Sequence, residues 1–268
     1  MSDLITISDL VVDFDTKRGI LHAVRGVSLN IAAGESVGIV GESGSGKSVS
    51  ALALTRLLPG EPTCTITGQA WLDGRDLLAL DETEISKVRG KEIAYVFQDP
   101  GTSLNPVYTI GFQIGEAVRI HNLGVTDVDA AVIKALEEVH INDPHKVANQ
   151  YPHELSGGMQ QRAMIAMALA CNPRILIADE PTTALDVTIQ KEIMDLLGRL
   201  RKDRGMSILL ITHNFGIVAN FADHVQVMRK GRIVEQGPTA QVMGSPAHEY
   251  TKGLIACIPR LGQRRHRL

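Results

Sequence analysis

A phosphate-binding pattern, G-x-x-x-x-G-K-[ST], spans residues 41–48. Its glycines let successive backbone N–H groups converge on phosphate oxygens, and the start of the following helix adds positive potential. Lys47 would reach the β- and γ-phosphates of a nucleotide, while the Ser48 hydroxyl would bind Mg²⁺. The alternative, a glycine-rich turn with a solvated lysine, is disfavoured by the apolar strand before the loop and the helix after it. The predicted nucleotide-binding residues are Gly41, Ser43, Gly44, Ser45, Gly46, Lys47, Ser48 and Val49.

Two carboxylates, Asp179 and Glu180, come directly after the apolar segment 175–178. A buried parallel strand would deliver both acids to the carboxyl edge of its sheet, beside the phosphate loop. Asp179 suits a direct or indirect contact to Mg²⁺, and Glu180 suits a general base that polarises the attacking water. Taken alone, the segment could also be a strand that leads into an acidic loop.

A second anion-receptive helix start is predicted at Ser156-Gly157-Gly158, ahead of a helix over 159–171. The simpler interpretation is a serine N-cap followed by a flexible hinge. Two phosphate-seeking helix starts are more than one nucleotide needs. One explanation is that the second start binds a nucleotide held by another copy.

The elements that must position these residues alternate between apolar strands and helical patterns, which is typical of an α/β domain. Between about 101 and 170 the pattern is mostly helical, and an amphipathic helix runs from Val128 to Val139. We predict strands over 4–14, 27–40 (divided at Gly34), 92–97, 174–178, 207–212, 225–228 and 232–235, the last two joined by a tight turn at Lys230-Gly231. Residues 69–80 are predicted to form a strand, a tight turn at Asp73-Gly74 and a short continuation. We predict further helices over 48–58, stopped by Pro59-Gly60, and over 187–204.

Composition restricts the functional class. The 268 residues include 27 Lys and Arg against 30 Asp and Glu, and the resulting charge of −3 argues against nonspecific nucleic-acid binding. The longest apolar run, 163–171, is about half of what crosses a bilayer. The acidic N-terminal segment does not resemble a secretory signal, and the three scattered cysteines indicate neither disulfides nor a metal site. We expect a cytosolic, reduced protein.

The ordered set of motifs resembles an ATP-binding cassette (ABC) transporter ATPase subunit over about residues 4–258. The set consists of the Walker A loop 41–48, Gln98 after a strand, the signature 155–159, the Walker B strand 175–179 with Glu180, Ala184-Leu185-Asp186, and His213. The resemblance implies a P-loop NTPase (RecA-like) α/β core with an N-terminal antiparallel β-subdomain and an inserted α-helical subdomain. It places the core at about 4–100 and 172–240, the helical subdomain at about 101–171, and a C-terminal extension with a short basic tail at 241–268.

The same resemblance implies roles for individual residues. Glu180, His213 and Gln98 would be catalytic, and Ser48, Gln98 and Asp179 would hold Mg²⁺. Asp186 would contact a second ATPase domain, although it could simply cap helix 187–204. Adenine would stack on Phe14, near the end of the first strand, or on His22, and Phe14 is equally well explained as a core residue. The signature residues that would bind the partner's ATP are Leu155, Ser156, Gly157, Gly158 and Met159.

Finer detail is similar to the ATPases of peptide and nickel importers. The relevant stretches are 98–106, 151–155 and 248–259, the last with His248-Glu-Tyr250 in place of the usual His-Pro-Tyr. This implies an ATP- and Mg²⁺-dependent subunit on the cytoplasmic face of the inner membrane. Its partners would be a second, paralogous ATPase subunit, two integral-membrane permease subunits and, indirectly, an extracytoplasmic solute-binding protein. The alternatives are an ABC ATPase with a non-transport role and a nucleotide sensor that does not hydrolyse, and intact Glu180 and His213 disfavour the sensor.

Overall fold

Two β-sheets and the helices around them make up the computed structural model, which describes residues 3–121, 124–183 and 185–257. The strands are β1 (Asp3–Thr16), β2 (Gly19–Ala32), β3 (Ser36–Val40), β4 (Cys64–Leu72), β5 (Arg75–Asp76), β6 (Ile93–Val96), β7 (Ile175–Asp179), β8 (Ser207–Thr212), β9 (His224–Arg229) and β10 (Arg232–Pro238). The helices are α1 (Lys47–Leu54), α2 (Glu82–Val88), α3 (Pro100–Ser103), α4 (Ile110–His121), α5 (Val128–Glu138), α6 (Pro144–Ala148), α7 (Gly157–Leu169), α8 (Val187–Arg204), α9 (Phe215–Phe221), α10 (Thr239–Gly244) and α11 (Glu249–Ala256).

The larger sheet has the strand order β10-β9-β3-β8-β7-β6. Its pairs are parallel except for the hairpin of β9 and β10, which turns at Lys230-Gly231 as predicted. The smaller sheet is antiparallel, with the order β2-β1-β4-β5. This arrangement is the predicted α/β core with an antiparallel β-subdomain. The segment between β6 and β7 is helical, as expected for the inserted subdomain.

The central strands are buried on both faces. Successive side chains of a strand face opposite sides of its sheet, so β7 contributes to two hydrophobic clusters. Ile175 and Ile177 pack in the cluster that includes the antiparallel sheet. Leu176 and Ala178 pack in the cluster formed with the helical segment and α8. The strand end that carries the acidic residues is therefore held from both sides.

The first hairpin differs from the sequence prediction. We predicted strands over 4–14 and 27–40 with a connecting loop up to Val27, whereas β2 begins at Gly19 and pairs with β1 from Thr16 onward. The prediction was wrong because Ile20 and Leu21 are 64% and 57% exposed, so this part of the strand shows no buried face in the sequence. The stretch 27–40 is indeed divided near Gly34, where the chain turns with φ +73°.

The helix after the phosphate loop is shorter than predicted. It ends at Leu54 rather than near residue 58, because Thr55 leaves helical geometry and Arg56 has a φ of +51°. Pro59 therefore lies beyond the helix end and does not cause it. By contrast α8 and β8 have the predicted bounds, and the predicted helix 159–171 begins earlier, at Gly157.

Four helices that the sequence analysis did not identify lie outside the helical segment: α2, α9, α10 and α11. The last of them follows β10 and packs against the larger hydrophobic cluster through Tyr250, Leu254 and Ile255. The basic tail beyond Cys257 lies outside the described residues. Among the described helices, none has the length and apolar character that a membrane span requires.

Candidate functional site

The phosphate loop joins the buried strand β3 to α1. Gly46 caps the helix with a φ of +104°, a left-handed geometry that favours glycine. At Gly41 a Cβ atom would lie 2.1 Å from the Met228 carbonyl oxygen, so this position needs glycine for close approach. Lys47 Nζ donates to the carbonyl oxygens of Gly41 and Glu42, both at 2.9 Å. The loop is thus closed around its own lysine.

The acidic pair follows β7, at the same edge of the sheet. Asp179 is the last residue of the strand, and Glu180 turns the chain with a φ of +46°. The Glu180 N–H donates to the Ile211 carbonyl of the neighbouring strand β8 at 2.8 Å. This bond extends the sheet pairing by one residue and fixes the direction in which the Glu180 side chain leaves the sheet.

Three side chains converge on the Glu180 carboxylate. Thr183 Oγ1 donates to Oε2 at 2.8 Å, Gln98 Nε2 donates to Oε2 at 3.4 Å, and His213 Nδ1 lies 3.0 Å from Oε1. Burial raises the pKa of Glu180, but the hydrogen bonds from His213 and Thr183 and the charges of His213 and Lys47 outweigh it and lower the net value. The carboxylate is therefore held in its ionised form, which is the form a general base requires.

Asp179 and Lys47 lie deeper than Glu180. Burial raises the pKa of Asp179 although the Ser48 hydroxyl and the charge of Lys47 oppose it, and the charge of Glu180 adds to the rise. Burial also lowers the pKa of Lys47, against the charges of Glu180 and Asp179. Asp179 Oδ1 is buried without a hydrogen-bond partner among the described residues. A divalent cation would supply the partner that this oxygen lacks, so Ser48, Asp179 and the Gln98 amide oxygen fit a hard metal ion.

A cavity of about 700 Å³ lies over the phosphate loop. It brings together every predicted phosphate-binding residue except Ser45, which is buried. Its lining residues are Gly41, Glu42, Ser43, Gly44, Gly46, Lys47, Ser48, Val49, Gln98, Glu180, Thr183, His213 and Leu254. Thr183 and Leu254 were not predicted from the sequence as site residues. A hydroxyl three residues after the acidic pair was a detectable signal for Thr183, whereas no local pattern indicated Leu254.

The second helix start, Ser156-Gly157-Gly158, does not line that cavity. Ser156 is the N-cap of α7, and its Oγ accepts the Met159 N–H at 3.4 Å. Gly157 lines a neighbouring cavity of about 690 Å³ together with Asp179 and Leu185. Ser156 and Gly157 are exposed, while Leu155 is buried in the hydrophobic core. The helix start is thus open to a second molecule and absent from the lining described for its own phosphate loop.

Asp186 caps α8 by accepting the N–H groups of Thr188 and Ile189 at 3.0 Å, and Ala184 lies outside the described residues. Phe14 is half-buried and packs against the cluster of the antiparallel sheet, and His22 Nδ1 lies 2.8 Å from Asp13 Oδ1. Among the described residues that line the phosphate-loop cavity, neither Phe14 nor His22 is present. The structure thus accounts for Asp186, Phe14 and His22 by local contacts.

Comparisons with known proteins give the families and relatives that this chain resembles. The family described as "ABC transporter" matches residues 24–183, and the "Oligopeptide/dipeptide transporter, C-terminal region" matches 234–268. A Brucella ovis protein whose name describes peptide import ATP-binding is 51% identical over 97% of this chain and 78% of its own length. The oligopeptide transport ATP-binding protein OppD of Bacillus subtilis is 49% identical over 96% of this chain and 72% of its own.

A solved structure of an ATP-binding cassette is also similar to this chain. The dimeric ATP-binding cassette MJ0796, in a post-hydrolysis state with ADP and Pi, superposes with a TM-score of 0.78 at 29% identity. It covers 88% of this chain and 98% of the other.

Proposed function

Since the chain belongs to the ABC transporter family of ATP-hydrolysing subunits, we propose that it powers the import of peptides or of a related small solute such as nickel. The observation that carries this proposal is the second match, over residues 234–268, to the C-terminal region of oligopeptide and dipeptide transporters. Relatives named for peptide and oligopeptide transport match over nearly the whole chain, which supports the same solute class. We further propose one ATPase domain over 4–258, with the helical subdomain at about 101–171 and an extension from 241.

The hydrolytic step follows from the residues around Glu180. Lys47 and the N–H groups of the phosphate loop bind the β- and γ-phosphates of ATP. The ionised Glu180 carboxylate accepts a proton from the water whose oxygen bonds to the γ-phosphorus, while the bond from that phosphorus to the β–γ bridging oxygen breaks and ADP leaves with the electron pair. His213 contacts the γ-phosphate and orients that water, and Thr183 holds the Glu180 carboxylate in place. Because phosphoryl transfer depends mostly on positioning and charge stabilisation, this arrangement supplies what the reaction needs.

Mg²⁺ would be held by Ser48, Asp179 and Gln98. Two observations support this set: Asp179 Oδ1 is buried without a hydrogen-bond partner among the described residues, and the Ser48 hydroxyl bonds to the Asp179 carboxylate. When bound, the ion neutralises charge on the phosphate oxygens. The chain's own residues contribute by keeping one hydroxyl and one carboxylate oxygen together at the strand end.

A complete site requires a second ATPase domain. The exposed helix start at Ser156 and Gly157 presents N–H groups but lines no part of the cavity over its own phosphate loop. In a head-to-tail pair, Leu155, Ser156, Gly157, Gly158 and Met159 of one domain cover the ATP held by the other. Asp186, which begins α8 beside this region, contacts the partner domain. The partner is a paralogous ATPase subunit.

The remaining partners are two integral-membrane permease subunits, which contact the region near Gln98, and a solute-binding protein outside the membrane. The subunit accordingly acts at the cytoplasmic face of the membrane as a peripheral component. Adenine stacks on Phe14, near the end of β1, or on His22 of the paired strand β2.

The test is reconstitution. The full chain is co-expressed with the permease and ATPase subunits encoded beside it, and the purified complex is placed in vesicles with the solute-binding protein. We expect ATP-dependent uptake of a labelled peptide or of Ni²⁺, and none with a non-hydrolysable ATP analogue. Failure of the chain to co-purify with any integral-membrane protein would instead indicate an ABC ATPase with a non-transport role.

A further inference from the structure

The C-terminal helix α11 is fixed at its start by a carboxylate. Glu235 of β10 accepts the Ala247 N–H at 2.7 Å through Oε1 and the His248 N–H at 3.0 Å through Oε2. His248 then caps the helix, because its Nδ1 accepts the Tyr250 N–H at 3.0 Å. These three bonds set the position of the first turn relative to the larger sheet.

The first turn carries Tyr250 to the phosphate loop. The phenol oxygen accepts the Glu42 N–H at 3.2 Å, across 208 residues of sequence. The Arg229 guanidinium lies over the Tyr250 ring, 4.7 Å from its centroid. The ring is thus held by the end of β9 while its hydroxyl reaches the loop. One turn further along, Leu254 lines the cavity in which the loop lies.

The Glu42 peptide is therefore held from both sides. Its N–H donates to Tyr250, and its carbonyl oxygen accepts from Lys47 Nζ at 2.9 Å. Lys47 must turn its ammonium group toward phosphate when a nucleotide binds, which weakens its hold on the Glu42 carbonyl. Glu42 is not one of the residues predicted to bind the nucleotide, so its bond to Tyr250 can persist in both states and preserve the shape of the loop.

We propose that Tyr250 is a positioning residue for ATP binding, which makes α11 a structural part of the nucleotide site. The inference rests on the proposed binding of ATP at the phosphate loop and goes beyond it. Without the phenol oxygen, the loop populates other conformations once Lys47 is engaged, and the apparent affinity falls by the fraction of competent loop that is lost.

The experiment compares Tyr250→Phe with Tyr108→Phe in the full chain. Tyr250→Phe keeps the ring beneath Arg229 and removes the hydroxyl that contacts Glu42. Tyr108 is an exposed tyrosine that stacks on Phe112 in the helical segment. Affinity is measured with a fluorescent ATP analogue and Mg²⁺, and thermal stability is measured without nucleotide. We expect about three- to tenfold weaker binding for Tyr250→Phe, the effect of one hydrogen bond, and no change for Tyr108→Phe. In the assembled complex the loss should fall on KM for ATP rather than on kcat.

Wild-type affinity in Tyr250→Phe would overturn the proposal, and so would a lowered melting temperature with unchanged affinity, since that result describes a purely structural contact. Lys47→Ala distinguishes a failure of the Tyr250 role from a failure of the phosphate-loop site. Loss of binding in Lys47→Ala together with full affinity in Tyr250→Phe refutes the role of Tyr250 alone. Full affinity in Lys47→Ala refutes the phosphate-loop site itself, and the role of Tyr250 with it.

Discussion

At the scale of single residues, the Glu180 carboxylate is the most constrained group in the candidate site. It collects contacts from Thr183, Gln98 and His213, and its own backbone adopts a left-handed φ of +46°. A non-glycine residue in this conformation is uncommon and carries strain that the surroundings must offset. The Glu180 N–H bond to Ile211 contributes to that compensation.

Glu180→Gln keeps the shape of the side chain and removes the base. We expect the variant to bind ATP and keep it, because closure of the two ATPase domains does not need the proton acceptor while hydrolysis does. In the assembled complex the hydrolysis rate should fall to a few per cent of wild type or less, a loss of about 2 kcal/mol or more in transition-state stabilisation. Glu84→Gln, which alters an exposed carboxylate paired with Lys87, serves as the control. Hydrolysis well above that level would mean that Glu180 is not the base.

Lys47→Ala removes the buried ammonium group that closes the phosphate loop. We expect ATP binding to fall at least tenfold, about 1.4 kcal/mol or more, since a charge-assisted contact to the terminal phosphates is lost. Titration of the full chain with Mg-ATP measures the change. Lys87→Ala, at an exposed lysine of α2, should bind as the wild type does. Near-wild-type affinity in Lys47→Ala would contradict the assigned role.

At the scale of elements, a polar cluster ties α8 to the start of β3. Asp223 Oδ2 accepts the Ser36 N–H at 2.9 Å, the Ser36 hydroxyl at 2.8 Å and Arg201 Nη2 at 2.7 Å. Burial raises the pKa of Asp223, but the bonds from Ser36 and the charge of Arg201 outweigh it and hold the value below the ordinary 3.8. The cluster lies at the amino end of the strand that leads into the phosphate loop.

Asp223→Asn removes the charge and keeps the size of the side chain. We expect the free energy of unfolding at pH 7 to fall by about 1 kcal/mol, the value of charge-assisted bonds at a half-exposed site. The folded-state pKa is depressed, so the contribution is present above the unfolded value of 3.8 and is lost as pH falls through the lower folded value. Urea unfolding as a function of pH should therefore show the difference from wild type shrinking below about pH 4. Asp203→Asn on the exposed face of α8 is the control, and a difference that grows on acidification would contradict the assignment.

Elements with strong local signals could be predicted from the sequence. The phosphate loop, the acidic pair and α8 follow from residue types at fixed spacing, and the structure has them at the expected places. The first part of β2 could not be predicted, because exposed Ile20 and Leu21 give a strand without a buried face. The end of α1 could not be predicted either, because the chain turns at Arg56 with a positive φ and no glycine or proline at that position indicates the turn.

Contacts between segments that are distant in the sequence could not be predicted either. The bond from Glu42 to Tyr250 joins the phosphate loop to the C-terminal helix, and nothing near either residue indicates it. The convergence of Gln98 and His213 on Glu180 was implied only by family resemblance, since each residue alone is an ordinary strand-end side chain. The residue pattern of one segment predicts the secondary structure of that segment. The site consists of residues from several segments, and their contacts leave no such local pattern.

At the scale of the whole molecule, the phosphate loop and the second helix start line separate, adjacent cavities. Ser156→Arg tests whether the two belong to different nucleotides. The substitution places a bulky cation at an exposed helix start and leaves the subunit's own phosphate loop untouched. We expect the isolated subunit to bind ATP normally and the assembled complex to lose nearly all hydrolysis, at least tenfold, because domain closure is blocked.

The measurement is crosslinking of a photoreactive ATP analogue to each subunit, together with turnover of the complex. In a heterodimer the damaged site should be the one whose phosphate-loop lysine belongs to the partner. Ser86→Arg, at an exposed serine of α2, should leave turnover unchanged. Loss of ATP binding by the isolated Ser156→Arg subunit would contradict the shared site.

All residues of β3, β7 and β8 are buried, and these strands carry the phosphate loop, Asp179 and the segment leading to His213. Their amide protons should exchange with deuterium only when the entire chain opens, whereas amides near Ile20 at the hairpin tip should exchange within the earliest labelling times. The residues of the candidate site are thus expected to lie on the part of the molecule whose amides exchange most slowly. We therefore expect motion during a nucleotide cycle in the outer helices and the hairpin, around central strands that remain paired.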